Sequence, residues 1–299
     1  MRRQQTLAEP VSCSGVGLHT GSRVTLTLRP ADVDTGIVFE CPGGVVVPGR
    51  AGNVVSTRLA TALGAGGARV GTVEHVLAAL YGLGVDNARV VVDGPEVPAM
   101  DGSAAAFVYL VRTAGLVEQA ASARVLRVRK AIGVTDGSRS IRVEPARELR
   151  VTYCIDFAHP CIGRQEFGCS GDDPALFERE IAGARTFGFL REVPALRDAG
   201  WARGGSLSNT VVLDDAGIVN HVGLRSPDEF VRHKVLDLFG DLALLGARLQ
   251  ARVVVERGGH TLHLEIVRAL LETSRAARGD AWHRLYRARR PRAASPPPS

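Results

Sequence analysis

The sequence predicts an α+β protein of two domains with similar plan, each a β-sheet packed on two main helices. Three observations predict it. Apolar residues alternate with period two in some stretches and recur at i, i+3, i+4, i+7 in others. Within each half the strands come first and the paired helices follow, rather than alternating one by one. A joint of small residues at 119–122 (Gln-Ala-Ala-Ser) then divides the 299 residues into pieces of ordinary domain size. The boundaries read as 1–121 and 122–274, followed by a tail at 275–299.

In the first half, residues 24–28 (Val-Thr-Leu-Thr-Leu) alternate with period two and are rich in β-branched residues, the pattern of a half-buried strand. Val73, Val76, Leu77 and Leu80 mark one face of a helix behind a Thr72 cap, and Gly82 and Gly84 stop it. The apolar run 88–92 is a strand. After a Gly/Pro-rich loop, Asp101-Gly102-Ser103 opens a second helix that closes near Gly115. In the second half, strands are expected at 125–129, 139–143 and 149–155. A helix is expected from 174 to about 183, and a longer one from 228 to about 245 after Ser226-Pro227. A strand at 252–255 leads through Gly258-Gly259-His260 to a last helix at 261–272.

Composition limits the function classes. At 45% hydrophobic and 23% charged residues the chain has a globular make-up. No run approaches the roughly 18 apolar residues of a membrane span, and Met1-Arg2-Arg3-Gln4-Gln5 leads into no signal-like apolar stretch, so a cytoplasmic protein is expected. The five cysteines form no C-x-x-C pair, and their odd number argues for reduced thiols. The net charge of +6 suggests nucleic acid until it is located. Seven arginines and one aspartate after position 274 account for all of it, leaving a neutral body and a basic tail of the kind usually solvated and disordered. Nucleic-acid binding would therefore have to work through that tail, and no stable nucleic-acid or transmembrane partner is expected. Only two basic residues are lysines, Lys130 and Lys234, so a lysine at a special place carries information.

His233, Asp237 and Asp241 follow one another at four-residue spacing and form a polar stripe on a helix otherwise rich in Val, Leu and Phe. It can be a solvated face making i,i+4 pairs, or part of a metal site, since an imidazole and a carboxylate one turn apart reach a single cation. Glu74-His75, at the start of the first helix, offers a third ligand. Adjacent residues diverge by about 100°, so His75 could ligate while Glu74 addresses a water. Two His and one carboxylate leave a fourth position open, as in catalytic zinc sites. His260, after two glycines, can project into a cleft or be a surface residue, and His19 in its glycine-rich stretch has the same ambiguity. H-E-x-x-H, H-x-x-E-H, Walker A and G-x-S-x-G are all absent.

SGVGLHTG (14–21), TVEHVLAAL (72–80), MDGSAAAF (100–107), RTFGF (185–189), DEFVRHKVLDLFGDL (228–242) and GGH (258–260) stand in an order and spacing that together resemble the UDP-3-O-acyl-N-acetylglucosamine deacetylases of lipid A biosynthesis. The resemblance runs from about residue 5 to 271. It implies an active site between the two helix layers, with one Zn²⁺ per chain held by His75, His233 and Asp237, a metal that also ties the domains together. It implies Glu74 as general base, the Thr186 hydroxyl at the oxyanion, and His260, kept cationic by Asp241, as proton donor or charge stabiliser. For a UDP-linked acylated amino sugar it implies Lys234 near the diphosphate and Asp156, Phe157 and Phe187 around the uracil and sugar. Leu18 and His19 join the substrate contacts, and Val193 and Leu196 wall an apolar acyl passage within 190–205. Arg139 stands where lysine is common, and Arg203 where an apolar residue often occurs. A monomer is expected. A zinc deacetylase of another acylated amino sugar is the alternative.

Overall fold

The computed structural model describes the backbone of residues 2–288 and the side chains of residues 2–274. Its fold is α+β, with two main sheets and a seam of helices between them. The first sheet runs in the order Val11–Val16, Arg23–Arg29, Ala88–Val92, Ile37–Glu40, Val46–Pro48, with only the Ala88–Val92 and Ile37–Glu40 pair parallel. Alternation decides its faces. Val24, Leu26 and Leu28 are buried, while Thr25 and Thr27 turn outward and pair their hydroxyls with Ser14 and Ser12 across the strand boundary at 3.2 and 2.8 Å. The second sheet runs Ile132–Asp136, Arg139–Pro145, Arg248–Glu256, Arg150–Phe157, Gly163–Ser170, and Val125–Arg127 pairs in parallel with Arg248–Glu256.

The helices are α1 (Glu74–Gly82), α2 (Ala105–Ala114), α3 (Pro174–Leu176, continued by a wide turn over Phe177–Ile181), α4 (Val193–Asp198), α5 (Glu229–Ala243) and α6 (His260–Ala288). Every residue of α1 is buried, because it lies between α2 and α5. Gly240 makes the α1–α5 crossing close. A Cβ there would stand 2.1 Å from the Glu74 carbonyl oxygen, so only a hydrogen fits between the two backbones. The same seam is filled by Phe239, edge-on to Tyr81 at 6.0 Å and stacked on Phe177 at 5.4 Å.

Several expectations change. Thr72 does not cap α1: its φ is +55° and its hydroxyl donates to Glu96 at 2.6 Å, leaving Val73 at the cap position with no side-chain bond. The joint at 119–122 is the end of a strand, Leu116–Ser122, paired antiparallel with Arg3–Leu7. His260 is the first residue of α6 rather than a loop residue, and that helix runs past 272 to Ala288. The basic tail expected at 275–299 thus begins inside a helical backbone, and its last stretch, 289–299, lies outside the described residues. Short strands such as Val54–Ser56, Ala62–Ala65 and Phe187–Phe189 carry too little periodicity to be foreseen. All five cysteines are free thiols, and no described helix is long and apolar enough to cross a membrane.

Candidate active site

The polar stripe of α5 is not a solvated face. His233, Asp237 and Asp241 are 3%, 3% and 1% exposed, because α1 crosses α5 at this level. That crossing also delivers His75, 5% exposed, from the first turn of α1. His75 Nε2 lies 3.7 Å and His233 Nε2 3.4 Å from Asp237 Oδ1, and the two imidazoles meet edge to face at 5.1 Å. Three ligand atoms converge within 4.8 Å of one another.

The tautomer is set. His233 Nδ1–H donates to the Ala184 carbonyl at 3.0 Å, which leaves Nε2 with its lone pair toward the cluster. Ala184 is in turn immobilised by its neighbour. Arg185 forms a buried two-pronged pair with Glu229, Nε to Oε1 at 2.8 Å and Nη2 to Oε2 at 3.0 Å, and Oε1 also accepts the Arg185 backbone N–H at 3.0 Å. Asp237 Oδ2 accepts from Lys234 Nζ at 2.7 Å.

The electrostatics match a cation site. Burial, with His233 adding to it, pushes His75 down to about 3, and burial likewise lowers His233, so both rings are neutral and offer lone pairs. Burial would raise Asp237, but Lys234 and the surrounding histidines overcome it and hold the carboxyl well below its usual range. Two neutral imidazoles and an ionised carboxylate, buried and too far apart to bond each other, form a donor set fit for a divalent metal.

Beside this triad stand Glu74 and His260. Glu74 is 3% exposed; its Oε2 accepts the Thr61 backbone N–H at 3.0 Å and its Oε1 lies 3.8 Å from His260 Nε2. Burial raises its carboxyl to about 8, helped by Asp237 and Asp241 and opposed by His260. His260 moves the other way from what burial alone would do. Burial lowers it, yet the charge of Asp241 and the 2.7 Å bond from Nδ1–H to Oδ2 lift it to about 9. Asp241 itself is held at about 2, against burial, by His260 and His263.

Two groups here were not singled out from sequence. Thr61, 1% exposed, donates its N–H to Glu74 and its hydroxyl to Asp241 Oδ1 at 2.7 Å, tying the two carboxylates together. His263, fully buried, donates Nδ1–H to Asp241 Oδ2 at 2.8 Å. The only available signal was the His-x-x-His spacing of 260 and 263, which puts both rings on one face of α6.

Glu74, His75, His233, Lys234, Asp237 and His260 open onto a cavity of about 690 Å³. Thr186, Phe187 and Phe157 line it, as do Leu18, His19, Val193 and Leu196, with Leu190, Leu207 and Val212 extending its apolar wall. Phe157 and Phe187 pack edge to face at 5.6 Å, and Arg139 is also on the wall. His19 Nδ1 is buried without a hydrogen-bond partner, and its ring stands edge-on to Trp201 at 5.0 Å. Asp156 lies apart from the lining, on the exposed edge beside Phe157, with Arg257 3.6 Å away. Asp241 is behind His260 rather than on the wall.

A family model of UDP-3-O-acyl N-acetylglycosamine deacetylases matches residues 4–272. Among curated proteins, a UDP-3-O-acyl-N-acetylglucosamine deacetylase of Myxococcus xanthus is 51% identical over 271 residues, covering 90% of this chain and 86% of its own. Relatives of the same name from Anaeromyxobacter sp. and Acidithiobacillus ferrooxidans are 50% and 48% identical, over 90% and 94% of this chain and 88% and 92% of theirs. The matched span runs through every residue of the cavity wall, and at this identity and coverage the chain belongs to the UDP-3-O-acyl N-acetylglycosamine deacetylase family.

Proposed function

We propose that this chain hydrolyses the 2-acetamido group of a UDP-linked 3-O-acyl-N-acetylglucosamine, releasing acetate and the free amine, in lipid A biosynthesis. Family membership supports the reaction, and one observation carries the site: a buried His, His, Asp triad with a carboxylate and a cationic imidazole at its edge. His75, His233 and Asp237 are the residues that would hold the ion, which we read as zinc, one per chain. Bound there, zinc supplies a Lewis acid that acidifies water toward neutral pH and polarises the amide carbonyl.

The chain's own groups then divide the proton work. Glu74 takes the proton of the attacking water on Oε1, its Oε2 being held by Thr61. Without an ion its carboxyl is raised to about 8, and the positive charge of an ion held by the triad would favour the carboxylate form that this role needs. The Thr186 hydroxyl donates to the carbonyl oxygen as charge builds there. His260, protonated at neutral pH, gives its Nε2 proton to the departing nitrogen while Nδ1–H stays on Asp241. Lys234 meets substrate phosphate charge from the cavity wall, Phe157 and Phe187 offer ring faces to the nucleotide and sugar, and Asp156 lies at that edge. Leu18 and His19, with Val193 and Leu196, contact the acyl side, where the wall is apolar.

The test is acetate release from UDP-3-O-acyl-N-acetylglucosamine by purified protein, stripped of metal and then restored with zinc. Zinc-dependent release supports the reading. Release that chelation leaves unchanged defeats the metal assignment, and equal rates on the UDP-free sugar defeat the substrate assignment.

A further inference from the structure

We propose that His263, backed by Tyr153, is a positioning residue for the proton donor: it holds the Asp241 carboxylate in the plane that aims His260 Nε2 into the cavity. This rests on the role given to His260 above. His263 is fully buried and does not line the cavity, so it can act on the reaction only through its neighbours.

The direction of every bond can be worked out. Asp241 is ionised and has no proton to give, so both imidazole Nδ1 atoms on its Oδ2, at 2.7 and 2.8 Å, are donors. Burial keeps His263 neutral, which leaves its Nε2 as an acceptor. The Tyr153 hydroxyl, 3.0 Å away and equally buried, therefore donates to it. A one-way chain of donors runs from Tyr153 through His263 to Asp241. Thr61 supplies the remaining bond on Oδ1, so the carboxylate is fixed at both oxygens and cannot swing away when His260 gives up its proton.

The turn that delivers His260 is built around this pair. A Cβ on Gly258 would stand 2.7 Å from the Tyr153 hydroxyl and 3.1 Å from His263 Nε2, so the backbone two residues before His260 packs directly on their bond. Filling the same volume with Leu and Phe would avoid burying two polar groups. What such a pair would not supply is a donor aimed at Asp241.

The experiment uses the zinc-loaded full chain carrying His263→Leu or His263→Asn, each alone and combined with His260→Ala. Zinc content, thermal unfolding, kcat and KM are measured on each. The expected result for His263→Leu is a fall in kcat of about 10- to 100-fold, at or below the lower end of the roughly 10² to 10⁴ that acid–base catalysis contributes because the donor itself remains, with KM and zinc content held within about twofold. Asn, whose amide nitrogen takes the place of Nδ1, restores kcat to within a few-fold. In the His260→Ala background neither substitution lowers kcat further, since they act through a group already gone. A folded His263→Leu protein with wild-type kcat overturns the proposal, as does a loss that multiplies with His260→Ala or comes with lost zinc. If His263→Leu does not fold, Tyr153→Phe carries the same test: a several-fold fall in kcat that vanishes in the His260→Ala background supports the proposal, and any other result overturns it. Undiminished kcat in His260→Ala alone removes the underlying reading and the proposal with it.

Discussion

Gly240→Ala is the most direct probe of how the site is assembled. The added Cβ would lie 2.1 Å from the Glu74 carbonyl oxygen and 2.7 Å from its carbonyl carbon, both backbone atoms with no rotamer to yield. Ordinary contact begins at 3.4 Å, so α1 and α5 must part by about 1.3 Å where they cross. Overpacking of this kind costs about 1–3 kcal/mol, and the better helix propensity of Ala returns about 1 kcal/mol. The net change in stability is therefore small. The effect on chemistry is not, because the parting separates His75 and Glu74 on one helix from His233 and Asp237 on the other. A misplacement near 1 Å is worth about 10²-fold in rate. Turnover at saturating zinc should fall by about that factor, zinc affinity should weaken, and the melting temperature should move by only a few degrees. Gly183→Ala, with nothing within 4 Å of the new Cβ, is the matched control and should be silent. A Gly240→Ala protein with wild-type turnover and zinc affinity would refute the claim that helix contact sets the geometry.

His233→Ala and Asp237→Ala should each lose bound zinc and activity together, whereas Asp241→Ala should retain zinc and lose turnover; metal analysis of the three variants separates ligand from support. Glu74→Ala should keep zinc while losing about 10² to 10⁴ in rate, and near-normal turnover with full zinc would exclude the general-base role. For the metal-free protein, His260 is raised from 6.5 to about 9, so its pairing with Asp241 contributes fully below pH 6.5 and is lost as pH rises through 9, worth about 3 kcal/mol. Denaturant melts from pH 6 to 10 should show that decline, and His260→Ala should flatten it; an unchanged slope in the variant would contradict the assignment. The acid side behaves oppositely, since Asp241 at about 2 contributes above its ordinary value of 3.8 and its share disappears as pH falls through 2.

The parts of this molecule that were legible in the sequence are those whose signal is local. Periodicity located α1, the Ser226-Pro227 start signal located α5, and alternation located the strand Arg23–Arg29. Spacing alone put His233, Asp237 and Asp241 on one stripe, yet it left open whether that stripe faced water. Burial of the stripe depends on Gly240 meeting Glu74, a contact between residues far apart in the chain that no local pattern encodes. The Thr72 cap failed for a similar reason: its hydroxyl donates to the distant Glu96 and its φ is left-handed rather than extended, so its oxygen does not accept the first N–H groups of the helix. Thr61 escaped notice because its importance lies in two acceptors, 13 and 180 positions away. The strands Val11–Val16 and Gly163–Ser170 are strands by pairing rather than by composition, since Ser, Cys and Gly separate the two valines of the first and the second has no β-branched residue at all.

The grip of Glu229 on Arg185 has a mechanical consequence. Glu229 opens α5, Arg185 is held by it, and Ala184 presents the carbonyl that His233 uses, four residues along the same α5. The helix that bears the imidazole thus also bears the reference mark by which that imidazole is aimed. A rigid tilt of α5 against α1 alters the span from His233 to His75 and leaves the bearing of His233 toward Asp237 unchanged. Two of the three donors behave as a self-aligning mount, and seating α1 against it converts a two-point perch into a three-point grip.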